Sequence, residues 1–373
     1  MSASSARPAT RRRTGRLSPW LLAPLLLGLT GCLNGCSPTY VMRAGYEEAK
    51  ILWHRQPIER LLKDPHLDAP TRAKLELALD ARAFAADTLH LRAGDSYATF
   101  ARVDENQVVY VVAAAYRQRL EPYTWWFPIV GRVPYKGYFS KSAADAEGAC
   151  LEKEGYDTYV RPSVAFSTLG WFADPLLSSV LRYDRATLAN VIIHELLHNT
   201  SYLAGQTEFD ESFANFVGSR GAIAFFAARG DAAARERSEA VWNDALVFSD
   251  FLAGFVERLQ AAYAKGVSLD ERQQLFDAGQ AEFRRLALRT DMYRNFGSEP
   301  LNNAIILHYR VYNDRLRLFD DLFHQQGDDL AQTIRIVLDA VGKQRDDPFA
   351  AVRARLRVAP SSAERSSAMT ATR

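Results

Sequence analysis

The chain has 373 residues, of which 48% are hydrophobic and 24% charged, and its formal charge is +2. Those fractions are ordinary for a soluble globular protein and exclude long disordered, collagenous and multi-span membrane classes. The length allows one large domain or two smaller ones. The positive charge is too slight to suggest nucleic acid, and it is localised. Residues 1–31 hold Arg7, Arg11, Arg12, Arg13 and Arg16 and no acidic residue, which leaves 41 Lys+Arg against 44 Asp+Glu over the rest.

The first predicted element is a leader. The basic stretch precedes an apolar run from Trp20 to Thr30, the layout of a secretory signal peptide over residues 1–31. The run is shorter than the roughly 20 apolar residues of a permanent membrane span. It ends in Leu29-Thr30-Gly31-Cys32, which resembles a bacterial lipobox, where a small residue precedes the cysteine that takes the lipid. A second candidate follows at Leu33-Asn34-Gly35-Cys36. Asn34 is the less usual residue before a Gly-Cys pair, so the residues favour Cys32, with Cys36 as the alternative. A plain secreted protein cut nearby, with the cysteines incidental, is the less favoured alternative. No clear twin-arginine motif is present, and the export route stays open. If Cys32 carries the lipid, Cys36 and Cys150 could pair in an oxidising envelope.

Residues 32–358 read as one domain of α+β class, predominantly helical. Met42 to Leu62 has apolar residues at helical spacing, and Thr71 to Asp80 is Ala/Leu-rich with strong helix propensity. Gln107 to Ala113 and Thr124 to Val130 are β-branched and aromatic and predict strands. Ala143 to Glu154 predicts a helix, and a short strand follows around Tyr159. From Arg185 onward helix dominates, and the Arg- and Glu-rich segment from Ala232 to Glu239 reads as a solvated helix face. Residues 359–373 are polar and predict a disordered tail.

The chemistry is concentrated in His194-Glu195-Leu-Leu-His198, an H-E-x-x-H pattern inside an apolar helical run from Leu188 to Leu197. Residues four apart share a helix face, so both imidazoles can reach one Zn²⁺, with Glu195 beside them to take a proton from water. A core helix has little reason to bury two histidines and a glutamate together, because each costs desolvation unless paired.

Catalytic zinc usually has three protein ligands plus water. Ser201 and Ala204 occupy the positions where a metzincin needs glycine and a third histidine, which excludes that class. The next segment, Gly205 to Gly218, predicts a second helix and offers Glu208, Asp210 and Glu211. Phe209, Phe213, Phe216 and Val217 form its apolar stripe, and Glu211 points to another side. Glu211 is the preferred ligand; Glu208 and Asp210 remain alternatives, otherwise explained as acids at a helix N-terminus. Asn215, one turn beyond Glu211, could hydrogen-bond a ligating histidine.

This constellation resembles the gluzincin class of zinc peptidases. More closely, it is similar to a family of bacterial lipoproteins described as predicted aminopeptidases. The marks are Cys36 followed by Tyr40 and an Ala-rich helix, Pro134-Tyr-Lys-Gly-Tyr-Phe139, Phe166 to Pro175, His194 to His198, Glu211-Ser-Phe-Ala and Leu301-Asn-Asn-Ala304. The resemblance implies His194, His198 and Glu211 as zinc ligands on a zincin-like helix and Glu195 as catalytic base. It also lends support to Cys36 as the lipidated cysteine. Gluzincins often carry an aspartate four residues after the ligand glutamate; Asn215 stands there, able to accept a histidine N–H but without the charge.

Two further segments are candidates for the site. Phe166 to Pro175 could line a substrate cleft or be an ordinary buried turn. Asn302 to Tyr312 predicts a helix in which Tyr309, Tyr312 or His308 could donate to an oxyanion, although ordinary core and surface packing is the favoured account of any one of them. The expectation is a zinc peptidase, an aminopeptidase by resemblance, acting on peptides and tethered by lipid to the envelope. Neither Leu33 nor Ser37 is the aspartate that would retain a lipoprotein at the inner membrane, so the outer membrane facing the periplasm is the expected address in a Gram-negative source. An envelope endopeptidase and a non-catalytic zinc-binding scaffold are the rival readings.

Overall fold

Proline 57 interrupts what the apolar spacing predicts as a helix running to Leu62. It lacks an N–H and drives the residue before it out of the helical region. Gln56–Pro57 is accordingly a short strand, β1, and the helix resumes as α1, Ile58–Leu61. The structure is a computed structural model that describes residues 52–103, 109–127, 131–138, 140–163 and 174–356. The leader, Cys32 and Cys36 (and with them the Cys36–Cys150 pairing), most of Phe166–Pro175 and the tail lie outside the described residues.

Helix α2, Ala69–Asp87, starts where Asp68 accepts the Thr71 N–H at 2.8 Å and Pro70 sits in the first turn. The strands follow: β2 Thr99–Ala101, β3 Val109–Tyr116, β4 Trp125–Phe127, β5 Gly131–Val133 and β6 Tyr135–Tyr138. Helix α3, Lys141–Lys153, then precedes β7 Tyr156–Ser163 and β8 Leu176–Leu177. They form three small sheets, ordered β1-β2-β8, β6-β3-β7 and β4-β5.

The β6-β3-β7 sheet matters most. It is antiparallel, with Ala113 opposite Tyr135 on one side and Tyr159 on the other, and Val111 opposite Gly137 and Arg161. Side chains alternate between faces. Val112 and Ala114 therefore share one face, where they pack with Trp125 and with Ala144 and Leu151 of α3. Tyr135, Tyr159, Arg161 and Asp157 belong to the other.

That second face meets the helical part, which is why the chain as a whole is α+β and mostly helical. The helices are α4 Arg185–Thr200, α5 Thr207–Ala228, α6 Ala232–Ala264, α7 Leu269–Phe283, α8 Arg294–Ser298, α9 Asn303–Asn313, α10 Leu316–Gln325, α11 Leu330–Lys343 and α12 Pro348–Arg353. The start of α9 is clamped to the sheet. Asn302 Nδ2 donates to the Thr158 carbonyl at 2.9 Å, the Asn303 N–H to Asp157 Oδ2 at 2.9 Å, and Asn303 Nδ2 to the Tyr116 carbonyl at 2.8 Å. Arg272 of α7 also bonds Asp157.

The core lies among α5, α6 and α10, where Phe213 and Phe216 stack on Phe319 and Phe216 meets Trp242 edge-on. Helices α4 and α5 form an antiparallel hairpin that approaches closely at Gly218 and Gly221. Added methyl groups there would collide with Asn190 and Ile193. Among the described residues, no helix is long and apolar enough to cross a membrane.

Candidate metal centre and active site

Helix α4 begins at Asp184, whose carboxylate accepts the Thr187 N–H at 2.7 Å. Ile192, Ile193, Leu196 and Leu197 face the core. The alternate side carries His194, Glu195 and His198, all partly buried. One turn apart, the two histidines bring their Nε2 atoms to 3.2 Å.

The chain then reverses through Ser201–Gln206. Gly205 takes φ +83°, a conformation that costs glycine little. Asp210 holds this loop, accepting the Leu203 N–H on both carboxylate oxygens at 3.1 and 3.0 Å. Glu208 reaches outward to Arg310 at 3.2 Å. Of the three acids on this segment, Glu211 is the one placed against the histidines. Its Oε2 lies 3.3 Å from His194 Nε2 and 3.5 Å from His198 Nε2.

The three donor atoms thus form a nearly equilateral triangle with edges of 3.2 to 3.5 Å. Donors bound tetrahedrally at about 2.0–2.1 Å from one ion stand about 3.3 Å from one another. The set therefore fits a divalent metal such as zinc in both chemistry and spacing. Among the described residues it is the group of three or more His, Cys, Asp or Glu side chains able to hold one.

The electrostatics are those of a buried carboxylate between two imidazoles. Burial pushes the Glu211 carboxyl up, but hydrogen bonding from His194 and His198 overrides it and holds the group well below the usual carboxylate range. Burial would lower His198, and Glu211 instead holds it at about 9. Glu195 is raised by burial, with the two histidines pulling the other way. Burial also lifts Asp210 to about 7.

Helix α9 supplies the opposite wall. Tyr312 lies close enough to Glu211 for that carboxylate to be the main influence keeping its phenol protonated, ahead of burial. His308 contacts Tyr312 at 5.6 Å and Tyr159 at 5.3 Å between ring centroids. Tyr309 sits elsewhere, packed among Phe248, Phe296 and Tyr293. The hydrogen bonds of Asn215 do not run to a histidine. Its Nδ2 donates to the Tyr312 carbonyl at 2.8 Å, and its Oδ1 accepts from Ser219 at 3.4 Å. Asn215 therefore ties α9 to α5.

Sequence reasoning named none of three further residues here. Tyr135 on β6 leaves 42% of its surface open. Its hydroxyl is nevertheless crowded by protein, and that desolvation, with Glu211 beside it, raises it to about 12. Tyr97 is buried, takes φ +59° and feels Glu195 and Asp174. Arg161 shares the sheet face of Tyr159. The aromatic run around Pro134 carried the only signal for Tyr135, and neither of the others lies in a motif.

The chain matches the family model Aminopep, described as "Putative aminopeptidase", over residues 39–347. The chain belongs to this aminopeptidase family. No curated protein and no solved structure matches it. The aminopeptidase match takes in the histidine pair, Glu195, Glu211 and the α9 wall, and membership points to hydrolysis of peptide bonds.

Proposed function

We propose that this chain is a zinc-dependent aminopeptidase held at the cell envelope by an N-terminal lipid. The observation that carries the reading is the convergence of His194, His198 and Glu211 beside Glu195. In this reading those three residues hold the zinc. When bound, zinc would polarise the scissile carbonyl and lower the pKa of water toward about 7.

The chain's own residues do the rest. Glu195, a carboxylate raised by burial, accepts a proton from the attacking water and delivers it to the leaving amine nitrogen. Tyr312, whose phenol stays protonated, donates to the oxyanion that forms on the carbonyl. Release of N-terminal residues rests on the family description. The tether rests on the lipobox-like cysteine, Cys32 with Cys36 as the alternative; in a Gram-negative source, the lack of aspartate at Leu33 or Ser37 supports an outer-membrane address facing the periplasm.

Metal analysis of the purified protein after zinc supplementation, with Glu195→Gln beside the wild type, tests the centre. Both are expected to hold one zinc, and only the wild type to cleave peptides. A wild type without stoichiometric metal defeats the zinc reading. Metal without turnover would make the chain a zinc-binding scaffold. Peptides with free and acetylated N-termini separate the exopeptidase from an endopeptidase, since cleavage that survives acetylation removes the aminopeptidase assignment.

A further inference from the structure

Most buried or half-buried arginines around the cleft have a carboxylate. Arg310 pairs with Glu208 at 3.2 Å, Arg272 and Arg117 with Asp157, and Arg220 with Asp320. Arg161 differs. It is half-buried on β7, and among the described residues it has neither an ion pair nor a hydrogen bond from its guanidinium. Withdrawing a guanidinium from water without a partner is costly.

Its place in the fold gives it a use. The register puts Arg161 opposite Val111 and, beyond it, Gly137. The neighbouring row is Tyr159, Ala113 and Tyr135. Small residues at 113 and 137 leave the sheet floor low between Tyr135 and the β7 side chains. Tyr159 touches His308, and His308 touches Tyr312. Arg161 and Glu211 both act on His308 and on Tyr312, so the guanidinium and the metal triad flank the same α9 wall. Two strands across and one pleat along, Arg161 is roughly 12 Å from Tyr135 between Cα atoms. An extended peptide covers that in about three to four residues.

Resting on the peptidase reading, we propose that Arg161 is the receptor for a substrate carboxylate, positioned within a few residues of the scissile bond. A guanidinium binds a carboxylate through two parallel N–H donors. The carboxylate can be the free C-terminus of a short peptide or an acidic side chain. In the first case the enzyme acts on peptides of a few residues; in the second it selects acidic ones.

Titration calorimetry on zinc-loaded Glu195→Gln protein, which keeps its peptides intact, tests this. The probes are trialanine, trialanine amide and alanyl-aspartyl-alanine amide. Trialanine is expected to bind at least about tenfold more tightly than its amide if the C-terminus is the ligand, and the aspartyl amide if a side chain is. Adding Arg161→Gln should abolish whichever preference is seen, and Arg161→Lys should restore part of it. Equal binding of all three probes to protein that keeps Arg161 overturns the proposal without reliance on any variant at 161. A preference that survives Arg161→Gln overturns it too. Carboxylate-dependent binding with no cleavage by the wild type would sink the peptidase reading and leave the receptor standing; cleavage with no carboxylate preference would do the reverse.

Discussion

Gly218 lies against Asn190 so closely that a methyl group on it would stand 2.9 Å from the Asn190 carbonyl oxygen and 2.7 Å from its Oδ1. The same methyl would come within 3.0 Å of His194 Cβ. Gly218 thus sets the spacing between the helix with the histidines and the helix with Glu211. Gly218→Ala is expected to destabilise the fold by about 1–3 kcal/mol, as overpacking does, and to weaken zinc binding by at least about tenfold. Gly342→Ala, where a methyl meets nothing within 4 Å inside a helix, should leave zinc binding unchanged and should not destabilise the fold. Thermal unfolding and zinc competition titration on the two variants give the comparison.

The three acids at the start of α5 divide by what they touch. Glu211→Ala should lose stoichiometric zinc. Glu208→Gln should retain it, because Glu208 faces Arg310. Asp210→Asn should also retain it, at some cost to the loop it holds through Leu203. Zinc retained by Glu211→Ala and lost by Asp210→Asn would reassign the ligand.

Tyr312 and Tyr309 are neighbours in sequence with different surroundings. Tyr312→Phe should lower kcat about a hundredfold or more, with little change in KM or zinc content, because the ring and its packing remain. Tyr309→Phe alters a residue packed among aromatic side chains and should leave kcat within a few-fold. Equal losses would remove the oxyanion role from Tyr312.

Burial drives His308 down to about 3, with Arg161 adding to the effect and Glu211 opposing it. An unfolded histidine titrates near 6.5. Between those values the unfolded chain binds the extra proton. His308 therefore withholds nothing above about pH 6.5 and costs up to about 1.4 kcal/mol per pH unit as pH falls toward 3. His308→Gln should flatten the fall in unfolding free energy between pH 7 and pH 5 relative to the wild type. Parallel pH curves for the two proteins would show that His308 does not contribute.

Legibility followed sequence separation. His194 and His198 are readable as a pair because helical spacing is local. Glu211 needs the turn at Gly205 and the bond that the Leu203 N–H donates to Asp210, and spacing alone left Glu208 and Asp210 in contention. The break at Pro57 was available from proline chemistry, but the apolar periodicity around it predicted one helix. The wall from β6 and β7 was hidden. Tyr135 sits on a four-residue strand between Pro134 and Phe139, and its partnership with Tyr159 exists only through the register of β3. Asn302 and Asn303 stood out as a motif, yet their role as a clamp on Asp157 and Thr158 depends on residues far away in the chain.

The same distribution sets a timetable for assembly. The candidate metal donors all lie within residues 194–211, on two helices joined by a tight turn, so closing that loop is cheap in entropy. The wall of Tyr135, Tyr159 and Tyr312 draws on segments separated by most of the domain, and contacts of that range form slowly. Amide protection during refolding should therefore appear in α4 and α5 before β6. In the proposed reading, a refolding chain can then acquire its ion before the cleft in which it would cut has formed.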